Sequence, residues 1–269
     1  MTEFEGKSIL VTGGGSGIGL GIATALADAG ATVTIVGRTK SKLDDAAEAT
    51  SLRTYPADVT DEDTVVDAVA FATSHTGRLD GVVACAGGNE TIAPVTQIDA
   101  AAWRRTVELN VTGTMLTLKH SGRELVRGGG GSFVAISSIA SSNTHRWFGA
   151  YGVSKSGVDH LVQLAADELG ASNVRVNGIR PGLTRTDLVA LITDGGPILD
   201  DYMQCTPLNR VGEVSDIAAL ALFLLGTQSS WITGQIINVD GGQSLRRGPD
   251  YTSMLEQVFG ADGLRGVTA

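Results

Sequence analysis

Five glycines fall within the seven positions 13–19 (GGGSGIG), directly after a short apolar run and before a helical pattern. A tight turn from a strand into a helix needs residues without a Cβ atom, because neighbouring backbone segments approach closely there. The same geometry lets backbone amides and a helix N-terminus approach a pyrophosphate. A glycine-rich turn that binds nothing is the alternative, and the flanking strand and helix favour the nucleotide site.

Short runs rich in β-branched residues alternate with longer helical patterns, which is typical of β–α–β units around a parallel sheet. The strongest runs lack polar alternation, as expected of strands covered on both faces. Seven strands are predicted, at residues 8–12, 32–36, 53–57, 81–85, 132–137, 174–179 and 235–239. Six helices are predicted, at residues 18–29, 42–50, 61–75, 100–126, 152–169 and 215–225.

The composition is that of a globular protein. Glycine supplies 36 of 269 residues, well above the average of about 7%. The glycines follow no three-residue period and only 6 residues are proline, which excludes collagen-like and proline-rich disordered chains. No segment resembles a linker, so we predict a single α/β domain over residues 1–269. Its core spans about 7–242, followed by a tail at 243–269 with a short amphipathic stretch at 251–259.

Charge and cysteine usage exclude several classes of partner. Twenty basic against 29 acidic residues give a net charge of −9 without a basic run, which argues against nucleic acid. Cys85 and Cys205 are far apart and no cysteine–histidine cluster occurs, so neither a disulfide framework nor a metal site is predicted. Residues 1–7 lack an apolar stretch, and no run of 18 apolar residues occurs. These features predict a cytoplasmic protein that binds neither membrane nor nucleic acid.

The end of the second predicted strand bears on the choice of cofactor. In dinucleotide-binding folds an acidic residue near this place binds the adenosine ribose and marks a preference for NAD. Here Arg38 and Thr39 follow Gly37, so a guanidinium is present to bind a 2′-phosphate and no carboxylate repels it. NADP(H) is therefore favoured and NAD(H) is possible; the alternative is that Arg38 is a solvated surface charge. Asp58 is a candidate partner of the adenine amino group or a helix cap.

Tyr151 and Lys155 stand four residues apart in YGVSK, on one face of a predicted helix. A tyrosine with a pKa of about 10 is a poor acid or base at neutral pH unless a nearby cation stabilises the phenolate. Ser138 follows an apolar strand, which places its hydroxyl at the carboxyl edge of the sheet, where ligands bind. The three residues together predict general acid–base chemistry at that edge.

These motifs, taken in order, resemble the short-chain dehydrogenase/reductase family over residues 7–242. The matching pieces are 12–19 (TGGGSGIG), 58–59 (DV), 86–87 (AG), Asn110, Ser138, 151–155 (YGVSK), 181–182 (PG), 232–235 (ITGQ) and 239–242 (VDGG). The resemblance implies a Rossmann-type doubly wound fold. Its seven-stranded parallel sheet is expected to have the strand order 3-2-1-4-5-6-7.

The resemblance also implies roles for individual residues. Tyr151 would be the general acid/base, Ser138 would hydrogen-bond the substrate oxygen, and Lys155 would hold the nicotinamide ribose and lower the pKa of Tyr151. Asn110 would organise a water that leads protons from Lys155 to solvent, although a buried amide that satisfies backbone groups fits equally well. The implied cofactor-binding residues are Gly13, Ser16, Gly17, Ile18, Gly19, Arg38, Thr39, Asp58, Val59, Ala86, Gly87, Tyr151, Lys155, Pro181, Gly182, Thr184 and Thr186.

One departure from the family pattern follows the fourth predicted strand. Where the family usually has Asn-Asn-Ala-Gly, this chain has Ala-Cys-Ala-Gly at 84–87, so two amides that brace the central strands are missing. We expect Cys85 to be a small buried residue rather than a reactive thiol.

Two segments are predicted to border the substrate. Residues 186–207 contain Gly195 and Gly196 within an apolar region, which is typical of a mobile lid. Residues 144–148 (THRWF) place cationic and aromatic groups where family members line the substrate pocket, although subunit interfaces favour the same residue types.

The expected function is that of an NAD(P)-dependent oxidoreductase that interconverts a small-molecule carbonyl and a secondary alcohol. A ketoreductase such as a 3-oxoacyl-thioester reductase is the leading expectation. The alternatives are an enoyl-thioester reductase of the same fold and a non-catalytic cofactor-binding regulatory protein; the latter would typically have lost Tyr151 or Lys155. The family also implies a homotetramer or homodimer, with helices 100–126 and 152–169 as the contact surface.

Overall fold

Seven parallel strands form the centre of the protein in a computed structural model, which describes residues 3–48 and 50–267. The strands are β1 (Ser8–Thr12), β2 (Thr32–Gly37), β3 (Arg53–Pro56), β4 (Gly81–Ala84), β5 (Gly131–Ile136), β6 (Val174–Pro181) and β7 (Ile236–Val239). They form one sheet with the order β3-β2-β1-β4-β5-β6-β7, and every neighbouring pair is parallel. The predicted fold class and strand order are therefore confirmed.

Helices connect these strands, and all six predicted helical regions contain helix. The helices are α1 (Gly17–Asp28), α2 (Lys40–Glu48), α3 (Glu62–Ser74), α4 (Ala100–Val107), α5 (Gly113–Arg127), α6 (Ala150–Leu169), α7 (Ala190–Thr193), α8 (Pro197–Cys205), α9 (Val214–Leu225) and α10 (Thr252–Leu264). None of the helices in the described part of the chain is long and apolar enough to cross a membrane. Residue 49 of the predicted second helix, and residues 1, 2, 268 and 269 of the predicted domain, lie outside the described residues.

The sheet is buried on both faces, which explains why its strands read as continuous apolar runs. Leu10 of β1 packs in a cluster with side chains of α3, α5 and α6, whereas Ile9 and Val11 pack in a second cluster with α1, α2 and α9. This alternation follows from the two-residue period of a strand. Each fully buried aliphatic side chain contributes about 2 kcal/mol to folding by leaving water.

The predicted helix at 100–126 is interrupted. Residues Glu108–Thr112 form a π-helical turn between α4 and α5, and Asn110 lies fully buried within it. Turns of this kind are often found at functional sites. Gly113, directly after the turn, packs so closely that an added Cβ would lie 2.7 Å from Val59 Cγ2. Hydrophobic periodicity continues through the interruption, so it was not visible in the sequence.

The segment after Gly242, predicted as a tail, folds back onto the domain. Tyr251 and Leu255 are buried in a small cluster with Tyr202 of α8. The predicted amphipathic stretch at 251–259 corresponds to α10, which bends at Gly260, where φ is 67°. The sequence pattern did not indicate that this region packs on the domain, because the packing depends on the contact of Tyr251 with α8.

We predict that Asn177 on β6 holds the chain that leads into β7. Its buried Nδ2 donates to the Ile232 carbonyl at 2.9 Å, and its Oδ1 accepts from the Gln235 N–H at 3.0 Å. N177A should lower the free energy of unfolding by about 2 kcal/mol, because two backbone groups lose their partners. The control N238A removes an exposed amide that bonds Ser244 and should cost less than about 0.5 kcal/mol. Equal shifts in urea unfolding of the two variants would contradict the prediction.

Candidate active site

A cleft of about 490 Å³ opens at the carboxyl edge of the sheet. It lies beside β1, which pairs with β2 on one side and with β4 on the other. The strand order runs outward from β1 in both directions, and ligands of doubly wound sheets bind at the point where the order reverses. Fourteen of the predicted site residues line the cleft, namely Gly13, Ser16, Gly17, Ile18, Gly19, Ala86, Gly87, Ser138, Tyr151, Lys155, Pro181, Gly182, Thr184 and Thr186.

The glycine turn is shaped by close backbone contacts. A Cβ on Gly13, whose φ is 66°, would lie 2.8 Å from Ala86 N, and a Cβ on Gly19 would lie 2.3 Å from Gly13 O. Helix α1 then begins without a side-chain cap on its first N–H groups and without an acidic residue in its first turn. The positive end of α1 therefore remains available to an anion, and the cradle fits a dinucleotide pyrophosphate.

Four predicted cofactor residues lie beyond the cleft lining, at the ends of β2 and β3. The Arg38 guanidinium is exposed and stands 4.0 Å from Asp58 Oδ2, too far for a direct hydrogen bond. Thr39 follows on the exposed entry to α2. Asp58 Oδ1 accepts from the N–H and the hydroxyl of Thr60, so Asp58 fixes the turn before α3. The Val59 side chain is a core residue, which leaves only its backbone for a ligand.

Tyr151 and Lys155 lie on the first turns of α6 and both line the cleft, as the four-residue spacing predicts. Lys155 Nζ donates to the Ile136 carbonyl at 2.7 Å and stands 5.8 Å from the centre of the Tyr151 ring. Burial lowers the pKa of Lys155 to about 8. Burial also raises the pKa of Tyr151, although the Ser138 hydroxyl opposes this rise. Without a ligand, the neutral phenol is therefore the stable form of Tyr151.

Ser138 begins a short 3₁₀ turn directly after β5. Its Oγ accepts from the Ala140 N–H at 3.1 Å, which fixes the side chain at the cleft. Because a hydroxyl also carries a hydrogen, Ser138 can still donate to a ligand oxygen. Ser138 and Tyr151 thus place two O–H groups at the same cleft, where an oxygen that gains negative charge would be stabilised.

Asn110 does not line the cleft but lies directly behind it. Its Oδ1 accepts from the Gly88 N–H, and its Nδ2 donates to the Gly88 carbonyl and to Ser154 Oγ, each at 2.9 Å. The amide therefore ties the segment after β4 to α6, the helix that carries Tyr151 and Lys155. This matches the predicted buried amide that satisfies backbone groups, and the water-organising role remains a prediction.

The segment after β6 closes the other side of the cleft. Thr186 reaches the start of α1, because a Cβ on Gly17 would lie 3.3 Å from Thr186 Cγ2. Thr184 is buried, and its hydroxyl donates to the Gly182 carbonyl. Next to this segment, Arg180 on β6 makes two hydrogen bonds to Asp159 on α6, at 2.9 and 2.8 Å. This ion pair joins the Tyr151 helix to the strand that leads into Pro181.

At the departure from the family pattern, residues 84–87, the end of β4 contacts Thr12 at the end of β1. Its Oγ1 accepts from the N–H groups of Cys85 and Ala86 at 3.2 and 3.3 Å, so a hydroxyl braces the strand end. Burial raises the pKa of the Cys85 thiol to about 11. A thiol with such a pKa is a poor nucleophile at neutral pH. Cys85 is, however, only partly buried and lines the cleft, so the predicted burial is incomplete.

The far wall of the cleft contains residues that the motifs did not identify. Tyr202 of α8 and Tyr251 before α10 line it together with His145 and Phe148 from the predicted substrate segment. Tyr202 and Tyr251 are separated by 49 positions, and their hydroxyls lie 3.2 Å apart. Neither tyrosine belongs to a motif, and only the apolar character of both segments hinted at burial.

The fold and this cleft define a doubly wound, nucleotide-binding oxidoreductase with a Ser–Tyr–Lys centre. A family model described as enoyl-(acyl carrier protein) reductase matches residues 13–244. A short-chain type dehydrogenase/reductase from Mycobacterium ulcerans is 62% identical, with a TM-score of 0.97 over 99% of this chain and 100% of that one. The chain belongs to the short-chain dehydrogenase/reductase family.

Two further relatives carry the names of particular activities. A cis-4-hydroxycyclohexanecarboxylate dehydrogenase from Sinomonas cyclohexanicum is 36% identical over 77% of this chain and 85% of its own length. A 7α-hydroxysteroid dehydrogenase solved with NADH and 7-oxo glycochenodeoxycholic acid is 34% identical. Its TM-score is 0.83, and the match covers 89% of this chain and 95% of that one.

We predict that Gly87 keeps space for the side chains beside it. A Cβ at Gly87 would lie 2.9 Å from Asn110 Oδ1 and 3.2 Å from Lys155 Nζ, so G87A must displace both. We expect its kcat to fall about tenfold or more, because small displacements of catalytic groups are costly. In the control G88A the nearest atom is Leu109 Cδ2 at 3.5 Å, an ordinary contact, and kcat should stay near that of the wild type. Equal rates of nicotinamide turnover in the two variants would contradict this assignment.

Proposed function

We propose that this protein interconverts a carbonyl and a secondary alcohol with a nicotinamide cofactor. The observation that carries the proposal is the joint presence of Ser138, Tyr151 and Lys155 on one cleft beside an uncapped helix start. The named activities of both relatives above support it, since each is a dehydrogenase of a cyclic alcohol.

In this proposal the substrate oxygen lies between the hydroxyls of Ser138 and Tyr151. Ser138 donates a hydrogen bond to that oxygen, and Tyr151 delivers a proton to it during reduction or accepts one during oxidation. The Lys155 ammonium stabilises the phenolate that results when Tyr151 gives up its proton. A nicotinamide cofactor, when bound, supplies or accepts the hydride. Because burial raises the pKa of Tyr151, the phenol is present in the protonated form that can give a proton to the substrate oxygen.

The residues around the end of β1, where the strand order reverses, would hold the cofactor. The glycine turn and the start of α1 fit the pyrophosphate, and Lys155 and Thr186 flank the nicotinamide half of the cleft. At the adenosine end, Arg38 is the cation available for a 2′-phosphate, and this favours NADP(H). NAD(H) is the alternative, because the hydroxysteroid dehydrogenase was solved with NADH.

The finer substrate assignments differ in their support. The named relatives favour a hydroxyl or ketone on a ring over the 3-oxoacyl thioester predicted from the sequence. The description of the matching family model supports enoyl-thioester reduction as a second candidate. A complete Ser–Tyr–Lys set favours carbonyl chemistry, since it protonates an oxygen. Parallel assays with a cyclic ketone, a 3-oxoacyl thioester and an enoyl thioester separate the three.

The contact surface proposed for a homotetramer or homodimer lies on α5 and α6. Met115, Val126, Val153 and Leu164 are exposed apolar side chains of these two helices. Clustered apolar side chains of this kind are typical of protein interfaces. They support association of identical chains through this surface.

The role of Tyr151 can be tested by removing one oxygen. Y151F should reduce turnover by about 100-fold or more, because the proton donor is lost while the ring remains. Its affinity for the cofactor, measured by fluorescence titration, should stay near that of the wild type. The control Y55F makes the same change on β3, where the ring packs against Phe71. Substantial activity of Y151F would refute the proposed chemistry.

The role of Arg38 can be tested by comparing two cofactors. R38A should weaken NADPH binding about tenfold or more and leave NADH binding nearly unchanged, because only NADPH carries the 2′-phosphate. The control K40A removes a neighbouring cation that pairs with Asp44. Equal effects of R38A on both cofactors, measured by titration, would exclude the 2′-phosphate role.

A further inference from the structure

The substrate end of the cleft has a continuous aromatic wall. The ring centres of Tyr151 and Phe148 are 6.0 Å apart, and those of Phe148 and Tyr251 are 5.3 Å apart. The next pair, Tyr251 and Tyr202, is separated by 6.4 Å. All three pairs of neighbouring rings meet edge to face, an arrangement that fixes the rings against one another. The wall therefore extends from the catalytic hydroxyl to the bonded hydroxyls of Tyr202 and Tyr251. Because Tyr202 and Tyr251 are only 5% and 2% exposed, an apolar substrate would contact chiefly the half-buried Phe148 ring, against which Tyr251 packs.

The charges around this wall argue against an anionic substrate. Among the described residues that line the cleft, the charged side chains are Lys155, which belongs to the catalytic set, and Asp187, which is acidic. A carboxylate or phosphate at the far end would thus leave water without gaining a cationic partner. Burying an unpaired charge in this way is strongly unfavourable.

The arginines next to the lining segments are already engaged. Arg146 pairs with Asp250 at 3.5 Å and lies over the Trp147 ring, while Arg185 pairs with Glu213 at 3.3 Å. Arg247 Nη1 donates to Asp201 Oδ2 at 2.8 Å, and Arg246 donates to the Gln204 carbonyl. A substrate anion would have to compete with these partners for a guanidinium.

The imidazole of His145 is a neutral group in this wall. Its Nδ1 lies 2.8 Å from the Asn143 carbonyl, which can only accept, so Nδ1 carries the hydrogen. Burial lowers the pKa of His145, which disfavours a second proton on Nε2. The polar groups of this wall are thus an imidazole and two phenol hydroxyls, all uncharged.

We propose that the substrate is an uncharged ring-containing ketone or secondary alcohol, bound against the Phe148–Tyr251 wall. This inference rests on the proposed carbonyl–alcohol chemistry and narrows it to one substrate class. The cleft volume of about 490 Å³ must also hold the nicotinamide end of the cofactor, so the ring system is compact.

A matched pair of ketones tests the charge preference. The two probes are 4-oxocyclohexanecarboxylate and its carboxamide, which share one ring and differ in charge. With the wild-type protein and saturating cofactor, kcat/KM for the carboxamide should exceed that for the carboxylate about tenfold or more. Open-chain amides with the same carbon number and ketone position should react more slowly than the cyclic amide.

Two arginine substitutions in one segment provide the matched variants. Leu188 lines the cleft and is 85% exposed, whereas Leu191 is 96% exposed and lies outside the cleft lining. L188R should raise the carboxylate-to-carboxamide ratio of kcat/KM about tenfold, because it supplies the missing cation at the rim. L191R adds the same charge away from the cleft and should leave the ratio unchanged.

The possible results separate this inference from the proposed function. Preference of the wild type for the carboxylate or for open-chain ketones overturns the substrate class but keeps carbonyl–alcohol chemistry. Equal ratios in L188R and L191R overturn the assignment of the uncharged wall to the substrate. Absence of turnover with every cyclic and open-chain ketone and alcohol, at both charges and with both cofactors, contradicts the proposed function itself.

Discussion

The pairing of β1 with both β2 and β4 is the constraint on which the rest of the structure depends. It places the end of β1 at the point where the strand order reverses, so the chain must turn there beside the ends of β2 and β4. A Cβ atom on Gly13 would lie only 2.8 Å from Ala86 N, so this position requires a residue without one. The glycine turn also directs the uncapped start of α1 at the cleft. A requirement of sheet packing and a requirement of anion binding are thus met by the same glycines.

The second determining feature is a buried cation. Lys155 is 5% exposed and has the Ile136 carbonyl as its hydrogen-bond acceptor, so burial lowers its pKa to about 8. The cost of burying this charge falls when an anion forms beside it, and the Tyr151 phenolate is such an anion. Asn110 and the Arg180–Asp159 pair join neighbouring segments to the helix that carries both residues. The surrounding fold therefore fixes α6, as the proposed proton chemistry requires.

The features that were predictable have a local physical cause. Strand positions follow from runs of apolar residues, and the Tyr151–Lys155 face follows from the pitch of a helix. The π-helical turn around Asn110 was not predictable, because the extra residue in the turn does not break the apolar pattern. The contact between Thr12 and the end of β4 was hidden for another reason. It depends on the distance between β1 and β4, which are 73 positions apart at that contact.

The sequence by itself determined the class of fold, the glycine turn after β1 and the shared face of Tyr151 and Lys155, because these depend on the local pattern of strands, turns and helices. The tertiary structure alone decided the far wall of the cleft. Tyr202 and Tyr251 meet there across 49 positions, and ion pairs elsewhere occupy the arginines near the mouth. Contacts between distant segments leave no periodic signal in the chain, so the character of the substrate end emerges only when the segments pack together.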